Sequence, residues 1–259
     1  SMHSVLTARA PWFWMGTSLD DLEPGSESPQ MEHLSGHDPA LISLTAGTDG
    51  APRWVEHSHL SLLEIAQQLG GADHSLHLSS SLWVALLALL RGQTTICARL
   101  NTRRPGEVER SHLWEVIADF GPQLLSGSPA LMSKIARLPP GADTVLASIR
   151  SVTVFGARMC PTEQQRLGAR LSDGATLEMV YGTMECPFIA RLSSVELRRL
   201  EAEFESRRVL GLGPPRATLD VRIHEVGLRT SPDELRPPEA GDVGVLWVRG
   251  AGVAGRRED

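Results

Sequence analysis

The chain has 259 residues, 41% of them hydrophobic and 22% charged, which is enough apolar content for a sizeable core and too much for a disordered chain. The net charge of −6 excludes a basic nucleic-acid footprint. No apolar run reaches the ~18 residues that a membrane span needs.

Residues 1–39 read as an irregular lead-in, with a Trp-Phe-Trp cluster between Pro11 and Met15 and an acidic, Pro/Ser-rich stretch from Asp20 to Gln30. The cluster reads as an anchor that packs the lead-in onto the body, with a partner contact as the alternative. From Ala40, strand-like and helix-like runs alternate. Ala40 to Thr45 reads as a strand followed by a glycine-punctuated loop. Ser58 caps a helix that runs to about Leu69 and stops at Gly70-Gly71. Leu82 to Leu90 reads as a helix, Thr94 to Ala98 as a strand, and Val108 to Phe120 as a helix with apolar positions at helical spacing. Gln123 to Leu125 is a short strand. Ser128-Pro129 signals a helix start, an N-cap with proline at the first helical position, and that helix ends before Pro139-Pro140. Ser151 to Phe155 is a strand, Pro161 to Leu171 a helix, and Thr176 to Tyr181 a strand. This alternation predicts an α/β fold, a parallel-rich sheet flanked by helices. Ser194 to Arg208 reads as a charged amphipathic helix. Leu219 to His224 and Val243 to Val248 are alternating strands around a Pro/Glu-rich loop. The organisation expected is a lead-in (1–39), a nucleotide-binding-like α/β core (40–215) and a C-terminal β-ribbon element (216–259).

Cys97, Cys160 and Cys186 are odd in number and widely spaced, which argues against a disulfide scaffold or a zinc site and fits a reducing compartment. A cytoplasmic location is expected; Ser1-Met2 reads as a tag scar with no signal peptide behind it. Of 25 basic residues only Lys134 is a lysine, so a step that needs one must use Lys134 or find a lysine elsewhere.

Two constellations carry chemistry. Thr45 to Arg53 (T-A-G-T-D-G-A-P-R) is a loop in which Thr45, Gly47, Thr48 and Gly50 can turn amides and hydroxyls toward one anion while Arg53 adds a cation. It is not the Walker pattern, and a plain surface turn is the competing reading. Tyr181-Gly182-Thr183-Met184-Glu185 follows a strand. Glu185 there suits Mg²⁺ and Tyr181 suits a base face, although a carboxylate after a strand is more often a solvated loop residue.

In this order the two motifs resemble the adenylate-forming superfamily of acyl- and aryl-CoA ligases, peptide-synthetase adenylation domains and luciferases. Thr45 to Val55, followed by Ser58-His59, is similar to that family's [ST]-[SG]-G-[ST]-T-G-x-P-K-G-V loop; Tyr181 to Glu185 resembles Y-G-x-T-E. Ile149 to Ala157 resembles the strand ending in G-G-A, and Gly241 to Gly250 the G-E-x-G-E-L stretch. The resemblance implies joining a carboxylic acid to the α-phosphate of ATP, with Mg, and passing the acyl group to the thiol of CoA or of a carrier-protein phosphopantetheine. It implies that Thr45 to Arg53 cradles the β- and γ-phosphates, that Gly156, Ala157, Tyr181 and Gly182 frame adenine, and that Glu185 binds Mg²⁺. Glu185 and Arg53 are then the catalytic candidates, and the acyl pocket is expected near Trp83.

Four residues depart from the pattern. Asp49 stands for threonine, and a carboxylate about 5 Å from a phosphate charge costs on the order of 3 kcal/mol. Trp54 stands for glycine, Arg53 for lysine, and Met184 for a threonine whose hydroxyl would reach the α-phosphate. Family members are considerably longer, and their T-G-D motif and lysine-bearing C-terminal domain have no counterpart in these residues; Lys134 does not match that lysine. Two readings stand. One is a shortened, degenerate or repurposed adenylation-like domain of polyketide- or peptide-type biosynthesis, a scaffold or one acting on a carrier-bound acyl group. The other is a competent segment of an ATP-dependent acid–thiol ligase. A missing subdomain predicts an uncovered apolar surface, hence a homo-oligomer or a partner that covers it. His57 and His59 fit a helix start better than a metal pair. Cys160 and Cys186 are expected to be core or pocket-lining residues.

Overall fold

The computed structural model describes residues 34–45, 53–96, 107–139, 141–196, 211–225, 237–239 and 241–256. Its elements run β1 (Pro39–Leu44), β2 (Trp54–Ser58), α1 (His59–Ala66), β3 (Leu76–Ser79), α2 (Leu82–Leu90), β4 (Thr94–Ile96) and α3 (Arg110–Phe120). They continue with β5 (Leu124–Gly127), α4 (Pro129–Ala136), α5 (Ala142–Leu146), β6 (Ser151–Val154), α6 (Pro161–Gly168), β7 (Thr176–Tyr181) and β8 (Ala190–Ser193). The last three are β9 (Asp220–Glu225), β10 (Gly244–Arg249) and β11 (Gly255–Arg256).

Six strands form the central sheet in the order β4-β3-β5-β6-β7-β8. All are parallel except β8, which returns antiparallel to β7. The expected parallel-rich α/β fold is present. Side-chain alternation divides the sheet between two cores. Leu177 and Met179 face a cluster with Leu113 and Ile117 of α3 and Leu131, Met132 and Ile135 of α4. Val180, one residue on, faces a second cluster with Leu62 and Ile65 of α1 and Val84 and Leu87 of α2. Burying each such side chain contributes about 1.5–3 kcal/mol, so both helical layers are held firmly.

The caps at Ser58 and Ser128 follow the sequence signals, and Ser81 adds a cap that was not read. Ser58, Ser81 and Ser128 each accept an amide hydrogen bond three residues ahead, at the starts of α1, α2 and α4, and Pro129 opens α4. Several boundaries differ from the expectation. α1 ends at Ala66 and reaches Leu69 only as a turn; α6 stops at Gly168 rather than Leu171. β2, β3, α5, β8 and β11 are additions to the sequence reading. Only 194–196 of the expected Ser194–Arg208 helix, which are helical, lie among the described residues. The Pro11–Met15 cluster lies outside them.

The remaining strands form two small sheets. β1 and β2 pair antiparallel, and β11 joins the other side of β2. β9 and β10 pair in register from Asp220–Arg249 to Glu225–Gly244, the expected ribbon. Val221 and Val248 of that ribbon pack on Cys186, Ile189 and Leu219, beside the end of β7.

Candidate functional site

The first motif is the connection of the β1–β2 hairpin. Its ends are described and its centre is not: Gly47, Thr48, Asp49 and Gly50 lie outside the described residues. At the base, the Thr45 amide donates to the Arg53 carbonyl at 2.9 Å, and the Arg53 amide donates to the Thr45 hydroxyl oxygen at 3.3 Å. The Thr45 side chain therefore closes the loop. Trp54 is the first residue of β2, opposite Leu44, and remains 38% exposed. It sits at the hairpin's outer edge.

The second motif begins where β7 ends. β6 and β7 are parallel neighbours, with Val154 opposite Met179, so the turns that follow them leave the same edge of the sheet. Carboxyl ends of parallel strands are where open α/β sheets bind ligands. Here they enclose a cleft of about 310 Å³, walled by the Gly156–Ala157–Arg158 turn, the Met179–Gly182 segment, Leu192 and Leu212. Gly156 has φ of +86°, and a Cβ placed on it would meet nothing within 4 Å, so the turn leaves open space beside the backbone. Gly182 is required for the opposite reason. A Cβ there would lie 2.2 Å from the Pro187 carbonyl oxygen, because the 182–187 loop folds back on itself. Four predicted residues, Gly156, Ala157, Tyr181 and Gly182, thus come together on one cavity.

The second motif also meets β2, the strand that follows the first motif. His57, on the inward face of β2 and fully buried, places Nε2 2.9 Å from the Met184 carbonyl oxygen. A carbonyl only accepts, so Nε2 carries the hydrogen. Nδ1 lies 3.4 Å from the Ser61 hydroxyl, which itself donates to the Ser58 carbonyl. The imidazole is tilted on Trp83 with ring centres 4.9 Å apart. Burial lowers the His57 pKa, opposed in part by the Met184 bond and the nearby Glu185 charge. From the other side, the Ala254 amide donates to the Glu185 carbonyl at 2.7 Å, and the residue after it opens β11 on β2. The loop bearing Glu185 is therefore held between β2 and the stretch before β11. Among the described residues no three His, Cys, Asp or Glu side chains converge as a metal site. Glu185 alone suits Mg²⁺ only if phosphates and waters complete the shell, which is the usual magnesium arrangement.

Trp83, expected beside an acyl pocket, packs with Phe155 against the second core, and its buried Nε1 has no hydrogen-bond partner among the described residues. Lys134 donates from Nζ to the Val108 carbonyl at 2.6 Å, remote from either motif in sequence. Cys186 is buried, with its thiol pKa raised by burial, whereas Cys160 is exposed ahead of α6. A larger groove, about 460 Å³, lies over α3 and the end of α4 between Arg110, Trp114, Arg137 and Pro139. It has neither glycine turns nor strand ends, so volume does not select the site. His57 is the residue that sequence reasoning missed. Its signal was the alternation Trp54-Val55-Glu56-His57, which turns Val55 and His57 inward on a strand.

A mostly parallel sheet with two glycine-bearing turns at the carboxyl ends of β6 and β7 matches the large-domain core of adenylate-forming enzymes. The chain belongs to the AMP-binding enzyme family, whose model matches residues 3–256. It is 29% identical over 245 residues to an olefin beta-lactone synthetase of Stenotrophomonas maltophilia, covering 92% of this chain and 44% of that protein. A second olefin beta-lactone synthetase, from Xanthomonas campestris, is 27% identical, with 96% and 46% covered. The chain thus spans less than half the length of these relatives. The N-terminal subdomain of Klebsiella oxytoca NpsA, in complex with 3-hydroxybenzoyl-AMSN, shares the fold. It superposes with a TM-score of 0.63 at 20% identity, covering 91% of this chain and 58% of that one. No helix among the described residues is long and apolar enough to cross a membrane.

Proposed function

We propose that this chain binds an adenine nucleotide in the cleft between the 156–158 turn and the 179–182 segment, as an adenylation-like domain whose phosphate end has been altered. The single observation that carries this is the convergence of Gly156, Ala157, Tyr181 and Gly182 on one cavity at the carboxyl ends of β6 and β7. Its size lies at the low end of the roughly 300–1,000 Å³ typical of ligand clefts, suited to one nucleoside. Glycine on both sides lets a flat base approach the main chain.

The phosphate end differs in chemistry. Met184 offers a thioether in place of a hydroxyl, and its carbonyl is engaged by His57. Asp49 brings a negative charge toward the triphosphate. Arg53, Thr48 and the amides of Gly47 and Gly50 hold phosphate oxygens, and Glu185 takes Mg²⁺ when ATP is bound. Thr45 contributes by closing the loop. The acid is an acyl or aryl acid presented as an adenylate or on the phosphopantetheine of a carrier protein, or on CoA, within polyketide- or peptide-type biosynthesis. The exposed Val245 and Trp247 on one face of β10 fit a homo-oligomer or a covering partner. The setting is the cytoplasm.

Calorimetry and pyrophosphate exchange test this reading together. AMP is expected to bind tighter than Mg·ATP, with no exchange across a panel of acids. Absence of heat with either nucleotide overturns it. A second reading, a competent acid–thiol ligase segment, is favoured by the retention of Glu185 in its clamped loop. Exchange that disappears in Glu185→Gln and Arg53→Ala would establish that reading instead.

A further inference from the structure

We propose that His57 is a positioning residue: its imidazole ties the loop carrying Glu185 to the hairpin carrying the phosphate-loop motif, and so sets where the α-phosphate of the nucleotide meets the protein. For its ligand consequence this rests on the nucleotide reading of the cleft; the tether itself does not.

His57 is fully buried, and its Nε2–H reaches a main-chain carbonyl 127 residues away in the chain, at Met184. A buried imidazole is orientable by two things, packing and its hydrogen bonds, and both are present. Trp83 lies against the ring at 4.9 Å, and Ser61, one turn into α1, stands beside Nδ1. The partner is equally committed. Thr183 donates to the Cys186 carbonyl at 3.0 Å, closing the turn, and Gly182 lies under the Pro187 carbonyl. This loop has little freedom to re-form elsewhere, so a contact at Met184 fixes the loop as a body. His57 holds its β2 side and Ala254 holds the Glu185 carbonyl on the β11 side. The adenine end depends on this less, because the Gly156–Arg158 turn follows β6, and Tyr181, although it adjoins the loop, is paired with Ala190 of β8 and accepts from the Ile189 amide at 2.9 Å. The tether therefore acts chiefly on the phosphate side of the cleft, and on the base side only through Gly182.

The substitutions that test this are His57→Phe, which keeps a ring against Trp83 but has no donor, and His57→Gln, whose amide restores one at a similar reach. Losing a buried hydrogen bond whose acceptor stays behind is worth roughly tenfold in an equilibrium. His57→Phe is expected to weaken AMP roughly tenfold while adenosine stays within about twofold, with His57→Gln recovering most of the loss. Hydrogen exchange read on peptides spanning 181–188 is expected to accelerate in His57→Phe and return toward the parent rate in His57→Gln. Unchanged exchange in a folded His57→Phe protein overturns the tether whatever the ligand data. Equal weakening of AMP and adenosine reduces His57 to a core residue and overturns its positioning role. If the parent protein binds neither ligand, the nucleotide reading falls by itself and the exchange result alone decides the tether.

Discussion

Ala157 is exposed at the wall of the cleft, where added bulk fills the ligand space without entering a core. Ala157→Trp is therefore expected to weaken AMP at least a hundredfold in calorimetry, with an unchanged circular dichroism melt. Away from the cleft, His77 donates from Nδ1 to Gln93 at 3.0 Å and accepts at Nε2 from the Ser126 hydroxyl at 2.7 Å, joining β3 and β5. Burial lowers its pKa, with the Gln93 bond opposing. The unfolded chain then takes up the proton first as pH falls, so this contribution to stability is full above the ordinary imidazole value near 6.5 and declines below it. Denaturant titrations from pH 8 to 5 are expected to show a steeper loss in the parent than in His77→Gln, which cannot titrate. At this scale the sequence disclosed what depends on local geometry. Gly156 stands out for its positive φ and Gly182 for the close Pro187 carbonyl, both conditions that favour glycine. The partners of His57 and His77 were hidden, because contacts across 127 residues for His57, and across 16 and 49 for His77, leave no mark in either segment.

Helix starts were the most legible elements, since capping is local. Ser128 accepts from the Leu131 amide and Pro129 has no amide to lose, so α4 begins where the sequence says. Ser128→Ala is expected to cost about 1 kcal/mol in equilibrium unfolding. Leu113, wholly buried in the α3 layer, is a larger test: Leu113→Ala is expected to cost about 2–5 kcal/mol because the cavity cannot fully close. Short strands were the least legible. Ser151–Val154 has four residues and was read from its β-branched run, whereas Leu76–Ser79 and Ala190–Ser193 have no β-branched residue and exist because neighbours in the sheet supply their hydrogen bonds. Trp54–Ser58 alternates clearly, but its charged and aromatic members resemble a loop running into a helix. Its pairing with β1 turned the phosphate-loop motif into a hairpin connection.

Across the whole molecule, the parallel sheet and the family resemblance were both readable, because several partial motifs in fixed order specify a fold better than any one of them. What was not readable is which surfaces remain open. Val243 is 83% exposed, and Val245, Leu246 and Trp247 of β10 are exposed with Ile223 of β9. Strand alternation turns Val245 and Trp247 to one face of the ribbon and Leu246 and Ile223 to the other, and the Val245–Trp247 face is the association surface proposed above. Sedimentation velocity is expected to show concentration-dependent dimerisation that Trp247→Lys reduces; a monomer at all concentrations would remove the oligomer from the account. The claim on which the remainder depends is that the two turns beyond β6 and β7 hold the base of an adenine nucleotide. An AMP titration followed by amide resonances tests it most directly. Saturable shifts centred on Gly156, Ala157, Arg158, Tyr181 and Gly182 are predicted. No saturable shift, or shifts confined to the groove around Arg110 and Trp114, would contradict it.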